Sequence, residues 1–278
     1  MLTITDVTKA YDEVHALDGL SLTVEPGEIV GLVGHNGAGK TTLVEIITGL
    51  VRADRGDVRV SGRSPSQARG LIGVAPQNLA LYPSITVREH LRLYGRLAGM
   101  GRRALRTATD DLALALGLTE ILDRSAGVLS GGQQRRTQAA TALIHRPPML
   151  ILDEPTAGAD LDTRAAMIDL VKQRAGEGTA VLYTTHYLQE LTDLQATIAV
   201  LRAGQVVARG TYDELVEGLP GEVRIAFDDG DERRVPTVEP TASLIELLRD
   251  VSRPVASIEI HHPSLDDLYH TLAVATDD

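Results

Sequence analysis

The sequence predicts an α/β protein with a mostly parallel core sheet, a helical block and a small C-terminal α+β module. Three observations support this prediction. Short apolar runs alternate with helical periodicity through much of residues 1–212, which is typical of a parallel sheet with helices on its faces. Residues of about 84–140 show apolar side chains at helical spacing. From about residue 213 the composition becomes acidic, which indicates a separate domain at 213–278.

The N-terminal region is predicted to be β-structure that leads into a glycine-rich turn. The alternation in MLTITDV indicates one strand, and SLTVEPGEIVGLVG contains two apolar runs divided by the turn Pro26-Gly27. A glycine-rich segment at 34–39 then precedes TTLVEIITGLV, whose spacing predicts a helix. The runs DVRVSG and LIGVAP predict two short strands, the second of them buried.

The chain becomes helical after Pro83 and returns to alternating strands and helices near residue 149. Helical spacing with many arginines is found in TVREHLRLYGRLAGM and RRALRTATDDLALALGL. The run MLILDEP predicts a strand, and a helix at 163–175, the strand TAVLYTT and a helix at 187–194 follow it. TIAVLRAGQVVARG predicts a hairpin that turns at Ala203-Gly204.

The acidic C-terminal segment has its own strand and helix pattern. EVRIAF, RRVPTVE and SIEIHH predict strands, with a hairpin turn at Asp229-Gly230 between the first two. Helices are expected near 243–251 and 264–273, the latter with Ser264 as its N-cap and Asp267 at the third helical position. These elements predict a small α+β module.

Composition and charge exclude several kinds of chemistry. The 278 residues contain no cysteine, so disulfides, cysteine-ligated zinc and thiol catalysis are ruled out. The net charge is −11, and residues 213–278 hold 16 acidic and 5 basic side chains, which leaves residues 1–212 balanced. A neutral body with an acidic tail argues against non-specific nucleic-acid binding and against docking on anionic lipid, so we expect no nucleic-acid partner.

The sequence shows neither a membrane span nor a secretion signal. Its longest apolar runs fall far short of the roughly 18–20 residues that cross a bilayer. The N-terminus carries Asp6 and Lys9 early and lacks the apolar stretch of a signal peptide. We therefore expect a cytoplasmic chain.

A phosphate-binding motif follows the third predicted strand. It has the form G-x-x-x-x-G-K-[ST] and consists of Gly34, His35, Asn36, Gly37, Ala38, Gly39, Lys40 and Thr41. The glycines let backbone N–H groups converge on phosphate oxygens at the start of a helix. Lys40 is placed to reach the β- and γ-phosphates, and Thr41 to bind Mg²⁺. The alternative is a glycine-rich turn that happens to precede one of only three lysines in the chain.

Two carboxylates end the apolar strand at 149–153. Ligands of parallel sheets bind beyond the carboxyl ends of the strands, which places Asp153 to hold Mg²⁺ through water. Glu154 is placed to accept a proton from an attacking water. The alternative is a helix N-cap pair ahead of Pro155.

A second anion-binding helix end is predicted at Leu129-Ser130-Gly131-Gly132-Gln133, since a serine and two small glycines begin a helix there. One nucleotide in one chain rarely needs two such helix ends. We therefore interpret the second one as serving a nucleotide that another copy holds.

These motifs, in this order, resemble the nucleotide-binding subunit of an ATP-binding cassette (ABC) transporter over about residues 1–212. The resemblance implies the P-loop NTPase ABC cassette fold, with an N-terminal antiparallel β-subdomain and an inserted helical subdomain beside the mostly parallel core sheet. It also implies ATP and Mg²⁺ as ligands, and ATP hydrolysis. It places Tyr11 as an aromatic that stacks on adenine, Gln77 in the Gln loop that leads into the helical subdomain, and His186 as the switch histidine. Ser130–Gln133 match the family signature, and Asp160 matches the loop after the Asp-Glu pair.

The resemblance and the motifs together give three sets of predicted site residues. The predicted catalytic residues are Glu154, His186, Lys40 and Gln77. The predicted metal ligands are Thr41, Gln77 and Asp153. The predicted nucleotide contacts are Tyr11, Gly34, His35, Asn36, Gly37, Ala38, Gly39, Lys40, Thr41, Thr42, Ser130, Gly131, Gly132, Gln133 and Asp160. One departure stands out: the family usually has Leu and Pro around the loop aspartate, where this chain has Ala159 and Leu161.

The resemblance leads to three hypotheses about the function of the chain, of which export is the first. LYPSITVREHLRLYGRLAG and PSLDDLYHTL are similar to exporter-type ABC ATPases of drugs, lipids or polymers, whose transmembrane permease is a separate chain. We expect a homodimer with head-to-tail cassettes, held to the inner face of the cell membrane by that permease. A soluble ABC ATPase acting on ribosomes, DNA or protein complexes is the alternative. A nucleotide-dependent assembly module without turnover is a third hypothesis, which Glu154 and His186 disfavour.

Overall fold

The computed structural model describes residues 1–249, 251, 253–264, 267 and 268. It divides into two compact units, one spanning Met1–Arg209 and the other beginning at Gly210. The strands of the first unit are β1 (Leu2–Tyr11), β2 (Val14–Val24), β3 (Ile29–Val33), β4 (Arg55–Val60), β5 (Ile72–Ala75), β6 (Met149–Asp153), β7 (Ala180–Thr184), β8 (Thr197–Arg202) and β9 (Gln205–Gly210). Its helices are α1 (Lys40–Ile47), α2 (Pro65–Ala68), α3 (Val87–Leu97), α4 (Arg102–Ala115), α5 (Gly131–Leu143), α6 (Leu161–Gly176) and α7 (Leu188–Asp193).

The core sheet has the strand order β5-β6-β7-β3-β8-β9. The neighbouring strands β5, β6, β7, β3 and β8 pair in parallel. In this register Leu150 of β6 lies opposite Val181 of β7, and Val30 of β3 lies opposite Thr197 of β8. Every residue of β3, β6 and β7 is buried, as expected for a parallel sheet covered on both faces. The fold class predicted from the sequence is confirmed.

A three-stranded antiparallel sheet of order β2-β1-β4 lies beside the core sheet. Its buried residues, such as Leu2 and Leu20, belong to one apolar cluster with Leu32 of β3 and Leu43 of α1. Burial of these side chains on folding, each stabilising by about 1.5–3 kcal/mol, joins the N-terminal sheet to the glycine loop between β3 and α1.

The helical block consists of α3, α4 and α5 with short 3₁₀ turns before α5. Thr86 caps α3 by a reciprocal pair of hydrogen bonds with Glu89, and Ser130 caps α5 in the same way with Gln133. These caps satisfy N–H groups that the first turn of a helix leaves unpaired. The N-terminus of α5 is therefore fixed where the sequence predicts it.

The second unit contains α8 (Tyr212–Val216), β10 (Gly221–Phe227), β11 (Glu232–Thr237), α9 (Pro240–Arg249) and β12 (Val255–His261). The strands form an antiparallel sheet of order β11-β10-β12. Val223, Ile225, Phe227 and Leu247 pack together as its small core. Ser264 and Asp267 form the predicted reciprocal cap, and most of the helix expected at 264–273 lies outside the described residues.

Several predicted boundaries differ from the observed ones. The first helix ends at Ile47 rather than continuing to Val51, because Gly49 adopts a left-handed conformation with φ 72°. The helix predicted at 243–251 begins at Pro240, a residue that suits the first helical turn. The hairpin turn at Ala203-Gly204 is confirmed, with φ 47° and 77° at the two positions.

Candidate functional site

The glycine loop runs from the end of β3 to the start of α1, and two of its glycines are required by close backbone contacts. Gly39 has φ 107°, and a Cβ there would lie 2.4 Å from the carbonyl oxygen of Ala16. A Cβ on Gly34 would lie 2.6 Å from the carbonyl oxygen of Leu201. Both distances are far below van der Waals contact, so only glycine lets the loop pass between β2 and β8 without displacing them.

Lys40 begins α1 and folds its ammonium back over this loop. Its Nζ donates hydrogen bonds to the carbonyl oxygens of Gly34 and, at 3.2 Å, of His35. Burial lowers the pKa of Lys40, while the charges of Asp153 and Glu154 act in the opposite direction. The ammonium therefore lies between the loop and the two carboxylates, in a place where anionic oxygens would stabilise its charge.

The two carboxylates at the end of β6 are held by the neighbouring strand β7. Asp153 is only 7% exposed and accepts a hydrogen bond from the Thr184 hydroxyl. The backbone N–H of Glu154 donates to the carbonyl oxygen of Thr184 at 3.0 Å. Glu154 adopts a left-handed conformation with φ 50°, which is uncommon for a residue with a side chain. Its Oε1 lies 3.3 Å from Nδ1 of His186.

These groups surround a cleft of about 300 Å³. Predicted site residues from three separate parts of the sequence line it: His35, Asn36, Gly37, Gly39, Lys40, Thr41, Thr42, Gln77, Asp153 and Glu154. Val14 and Ala16 of β2 also line the cleft, and sequence reasoning missed both of them. They are small apolar strand residues with no motif around them, so only the packing of β2 against the loop identifies them.

Gln77 reaches the cleft from a segment that α5 holds in place. The carbonyl oxygen of Gln77 accepts a hydrogen bond of 2.8 Å from Nη1 of Arg135. The buried side chain of Gln138 accepts from the N–H of Ala80 at 2.7 Å and donates to the carbonyl oxygen of Pro76. Two side chains of one helix therefore fix the backbone on both sides of Gln77, and Gln138 carried no signal in the sequence.

Several predicted residues lie outside the cleft lining. Gly34 and Ala38 belong to the glycine loop but are not lining residues. His186 does not line the cleft either, but it contacts the lining residue Glu154. Tyr11 is 44% exposed at the end of β1, where it pairs with the cleft residue Val14. Ser130, Gly131, Gly132 and Gln133 form the capped start of α5.

Asp160 caps the next helix rather than lining the cleft. Its carboxylate accepts a hydrogen bond of 2.7 Å from the backbone N–H of Thr163, at the start of α6. Hydrogen bonding from Thr163 lowers the pKa of Asp160, and the charge of Arg136 adds to this effect. The carboxylate is therefore ionised and oriented at neutral pH.

A glycine loop, a lysine and paired carboxylates around one cleft are the parts of a P-loop nucleoside triphosphatase. The family model described as "ABC transporter" matches residues 17–157. The chain is 36% identical over 229 residues to the linearmycin resistance ATP-binding protein LnrL of Bacillus subtilis (strain 168), covering 81% of this chain and 74% of LnrL.

Two further comparisons agree. Identity is 35% over 294 residues with the daunorubicin resistance ATP-binding protein DrrA2 of Streptomyces coeruleorubidus, covering 94% of this chain and 91% of DrrA2. The dimeric structure of a bacterial ABC transporter cassette superposes with a TM-score of 0.71 at 26% identity, covering 76% of this chain and 98% of that one. The chain belongs to the ABC transporter family, as an ATP-binding subunit that hydrolyses ATP.

Proposed function

We propose that this subunit powers export through a separate transmembrane permease subunit, by binding and hydrolysing ATP in the cleft between the glycine loop and β6. The observation that carries the proposal is the convergence of Lys40, Gln77 and Glu154 on one cleft from distant parts of the sequence. Relatives named for drug resistance and for Nod factor export support the outward direction.

The residues of the cleft suit distinct steps of the reaction. The backbone N–H groups of the loop and the Lys40 ammonium bind the phosphates, and Lys40 exchanges its carbonyl partners for phosphate oxygens. Glu154 accepts a proton from the attacking water, and His186, 3.3 Å from it, holds the other side of the γ-phosphate. Tyr11, beside Val14, stacks on adenine.

The cleft also fits Mg²⁺ bound together with the nucleotide. No group of three or more His, Asp and Glu side chains forms a metal cage within the described part of the chain. Mg²⁺ in nucleotide sites needs only one or two protein oxygens, with phosphates and waters completing its shell. The hydroxyl of Thr41, the amide oxygen of Gln77 and the carboxylate of Asp153 line one cleft and supply such oxygens. There the ion would neutralise charge on the phosphates.

Two copies are proposed to close over ATP head to tail. The capped start of α5, Ser130–Gln133, does not line the cleft of its own chain. In the dimer this helix end contacts the γ-phosphate held by the other copy, and Asp160 contacts the opposite subunit. ATP then joins the two copies, and hydrolysis releases them.

The permease is proposed to bind beside Gln77. A second cleft, of about 560 Å³, shares Thr41, Gln77 and Asp153 with the nucleotide cleft and is otherwise lined largely by apolar groups such as Leu50 and Tyr94. A cytoplasmic segment of the permease that fills this cleft would sense the nucleotide through the shared wall. No helix within the described residues is long and apolar enough to cross a membrane. The permease would therefore hold the chain at the inner face of the membrane.

In this proposal residues 1–212 act as the ATPase cassette, with residues of about 84–140 as the helical subdomain that passes motion to the permease. Residues 213–278 act as a separate acidic module outside the phosphate chemistry. Among its described residues, the module carries none that line the nucleotide cleft.

The experiment is Glu154→Gln, with Glu120→Gln as a matched control at an exposed carboxylate that is not part of the cleft lining. Glu154→Gln is expected to bind ATP normally, to lose at least about a hundredfold in hydrolysis, and to form a dimer with ATP by light scattering. The chain should also co-purify with a polytopic membrane protein from its own host. Unchanged hydrolysis in Glu154→Gln would refute the assignment of the base, and only soluble partners would refute export.

A further inference from the structure

A buried carboxylate lies behind the catalytic groups. Glu190 of α7 is 1% exposed and faces hydrogen-bond donors from three other elements. It accepts hydrogen bonds from the hydroxyls of Tyr183 (2.9 Å), Thr185 (3.0 Å) and Thr156 (2.5 Å). Nε of Arg164, on α6, lies 3.1 Å from Oε1 of Glu190 as an ion pair. One carboxylate therefore ties together β7, the loop after β6 and the start of α6.

The chemistry of this cluster requires an acceptor at its centre. An ionised carboxylate only accepts hydrogen bonds, and its two oxygens accept those of the three hydroxyls, while Arg164 contributes its positive charge as an ion pair. Burial and the charge of Glu190 hold the pKa of Tyr183 well above its usual range, so the phenol stays a donor. An amide in place of the carboxylate would bring its own N–H donors toward these donors and leave Arg164 without its partner charge.

Two paths of contact lead from Glu190 to His186. The first runs along the backbone, because Thr185 directly precedes His186 and its hydroxyl also accepts a hydrogen bond of 3.0 Å from the N–H of Tyr187. The second runs through side chains. The Arg164 guanidinium carbon lies 4.6 Å from the centre of the Tyr187 ring, and this ring lies 4.3 Å from the His186 ring.

The same carboxylate also reaches the partner of His186. Thr156, whose hydroxyl donates to Glu190, follows Glu154 by two residues. Both sides of the 3.3 Å contact between His186 and Glu154 are thus anchored to Glu190.

We propose that Glu190 is a positioning residue, which sets the His186 ring at its working distance from Glu154 and links both to the start of α6. The inference rests on the proposed role of His186 in hydrolysis. Glu190 does not line the nucleotide cleft, and it acts only through Thr185, Thr156 and the Arg164–Tyr187 pair. Loss of its charge should therefore impair turnover and leave ATP binding in place.

The test compares Glu190→Gln with Asp193→Asn, which makes the same change at an exposed position of the same helix. Asp193 contacts Gln189 of α7 and none of the catalytic groups. Glu190→Gln should lower kcat about ten- to hundredfold with KM for ATP within twofold, as for misplacement of a catalytic group. Asp193→Asn should match the parent chain in both constants.

A spectroscopic readout separates positioning from general loss of stability. With ¹⁵N-labelled histidine, His186→Asn identifies the His186 ring signals, and Glu190→Gln should shift its Nδ1 signal while Asp193→Asn leaves it unchanged. If Glu190→Gln fails to fold, Thr185→Val removes one hydroxyl of the cluster and should shift the same signal, while Thr185→Ser keeps the hydroxyl and should restore it.

The outcomes distinguish the two proposals. An unshifted His186 signal together with unchanged kcat in a folded Glu190→Gln protein would overturn the positioning role. Normal hydrolysis by His186→Asn would overturn the proposed role of His186 itself, and a shifted ring signal in Glu190→Gln would still support its positioning by Glu190.

Discussion

Two glycines of the phosphate loop allow the cost of a methyl group to be divided into a backbone part and a steric part. Gly37 has φ 85°, and a Cβ there would meet nothing within 4 Å. Gly39 has φ 107°, and its Cβ would lie 2.4 Å from the oxygen of Ala16 and 2.8 Å from Cδ2 of Leu17. Gly37→Ala therefore reports the left-handed backbone alone, whereas Gly39→Ala adds a collision with main chain.

The expected magnitudes follow from these two environments. The left-handed conformation costs alanine about 1–2 kcal/mol at either position. The collision at Gly39 resembles overpacking of a core, which typically adds about 1–3 kcal/mol. In a unit of this size each kcal/mol lowers Tm by about 2–4 °C. With a central difference of about 2 kcal/mol, Gly39→Ala should therefore melt about 4–8 °C below Gly37→Ala.

The assay is thermal unfolding of both variants without nucleotide, in the same buffer, with far-ultraviolet circular dichroism as the signal from which Tm is determined. Equal losses of Tm would refute the reasoning, because they would show that the loop moves away from Ala16 at no cost.

Two further predictions concern the helix cap and the second unit. Because hydrogen bonding from Thr163 lowers the pKa of Asp160 below its usual 3.8, the cap stabilises the folded chain above that pH and loses its effect as the pH falls through the folded-state pKa. Asp160→Ala should therefore lower Tm at pH 7, with a deficit that shrinks toward pH 3, and a deficit independent of pH would contradict this. Truncation after residue 212 should leave ATP affinity within about twofold by fluorescent-nucleotide titration, since the second unit has its own core and every cleft-lining residue of the described chain precedes residue 212. Lost binding by a folded fragment would refute it.

The sequence predicted those parts of the molecule that depend on local pattern. Apolar runs such as that of β6 identify buried parallel strands, and a glycine loop between strand and helix fixes the phosphate site before any tertiary contact is known. The cap at Ser130 was predictable for the same reason, because its partner Gln133 lies three residues away.

The features that escaped prediction depend on contacts between distant segments. Val14 and Ala16 line the cleft only because β2 passes beside the loop. Gln138 and Glu190 are polar residues in helices, a pattern that normally indicates an exposed face. Gln138 bonds to segments 58 and 62 residues away, and Glu190 accepts from Thr156, 34 residues away, as well as from the nearby Tyr183 and Thr185. No local pattern records the distant partners.

The hydrogen bonds from α5 to the segment around Gln77 connect that segment mechanically to the start of the helix at Ser130. Ser130 caps the start of α5. About one and a half to two turns further along the helix, Arg135 and Gln138 form hydrogen bonds with the backbone of Gln77, Pro76 and Ala80. Because the turns of α5 are hydrogen-bonded to one another, we expect a shift at Ser130 to be accompanied by a shift at Gln77. We therefore expect a contact at the start of α5 to affect the segment around Gln77, which α5 holds about 8–12 Å further along its axis.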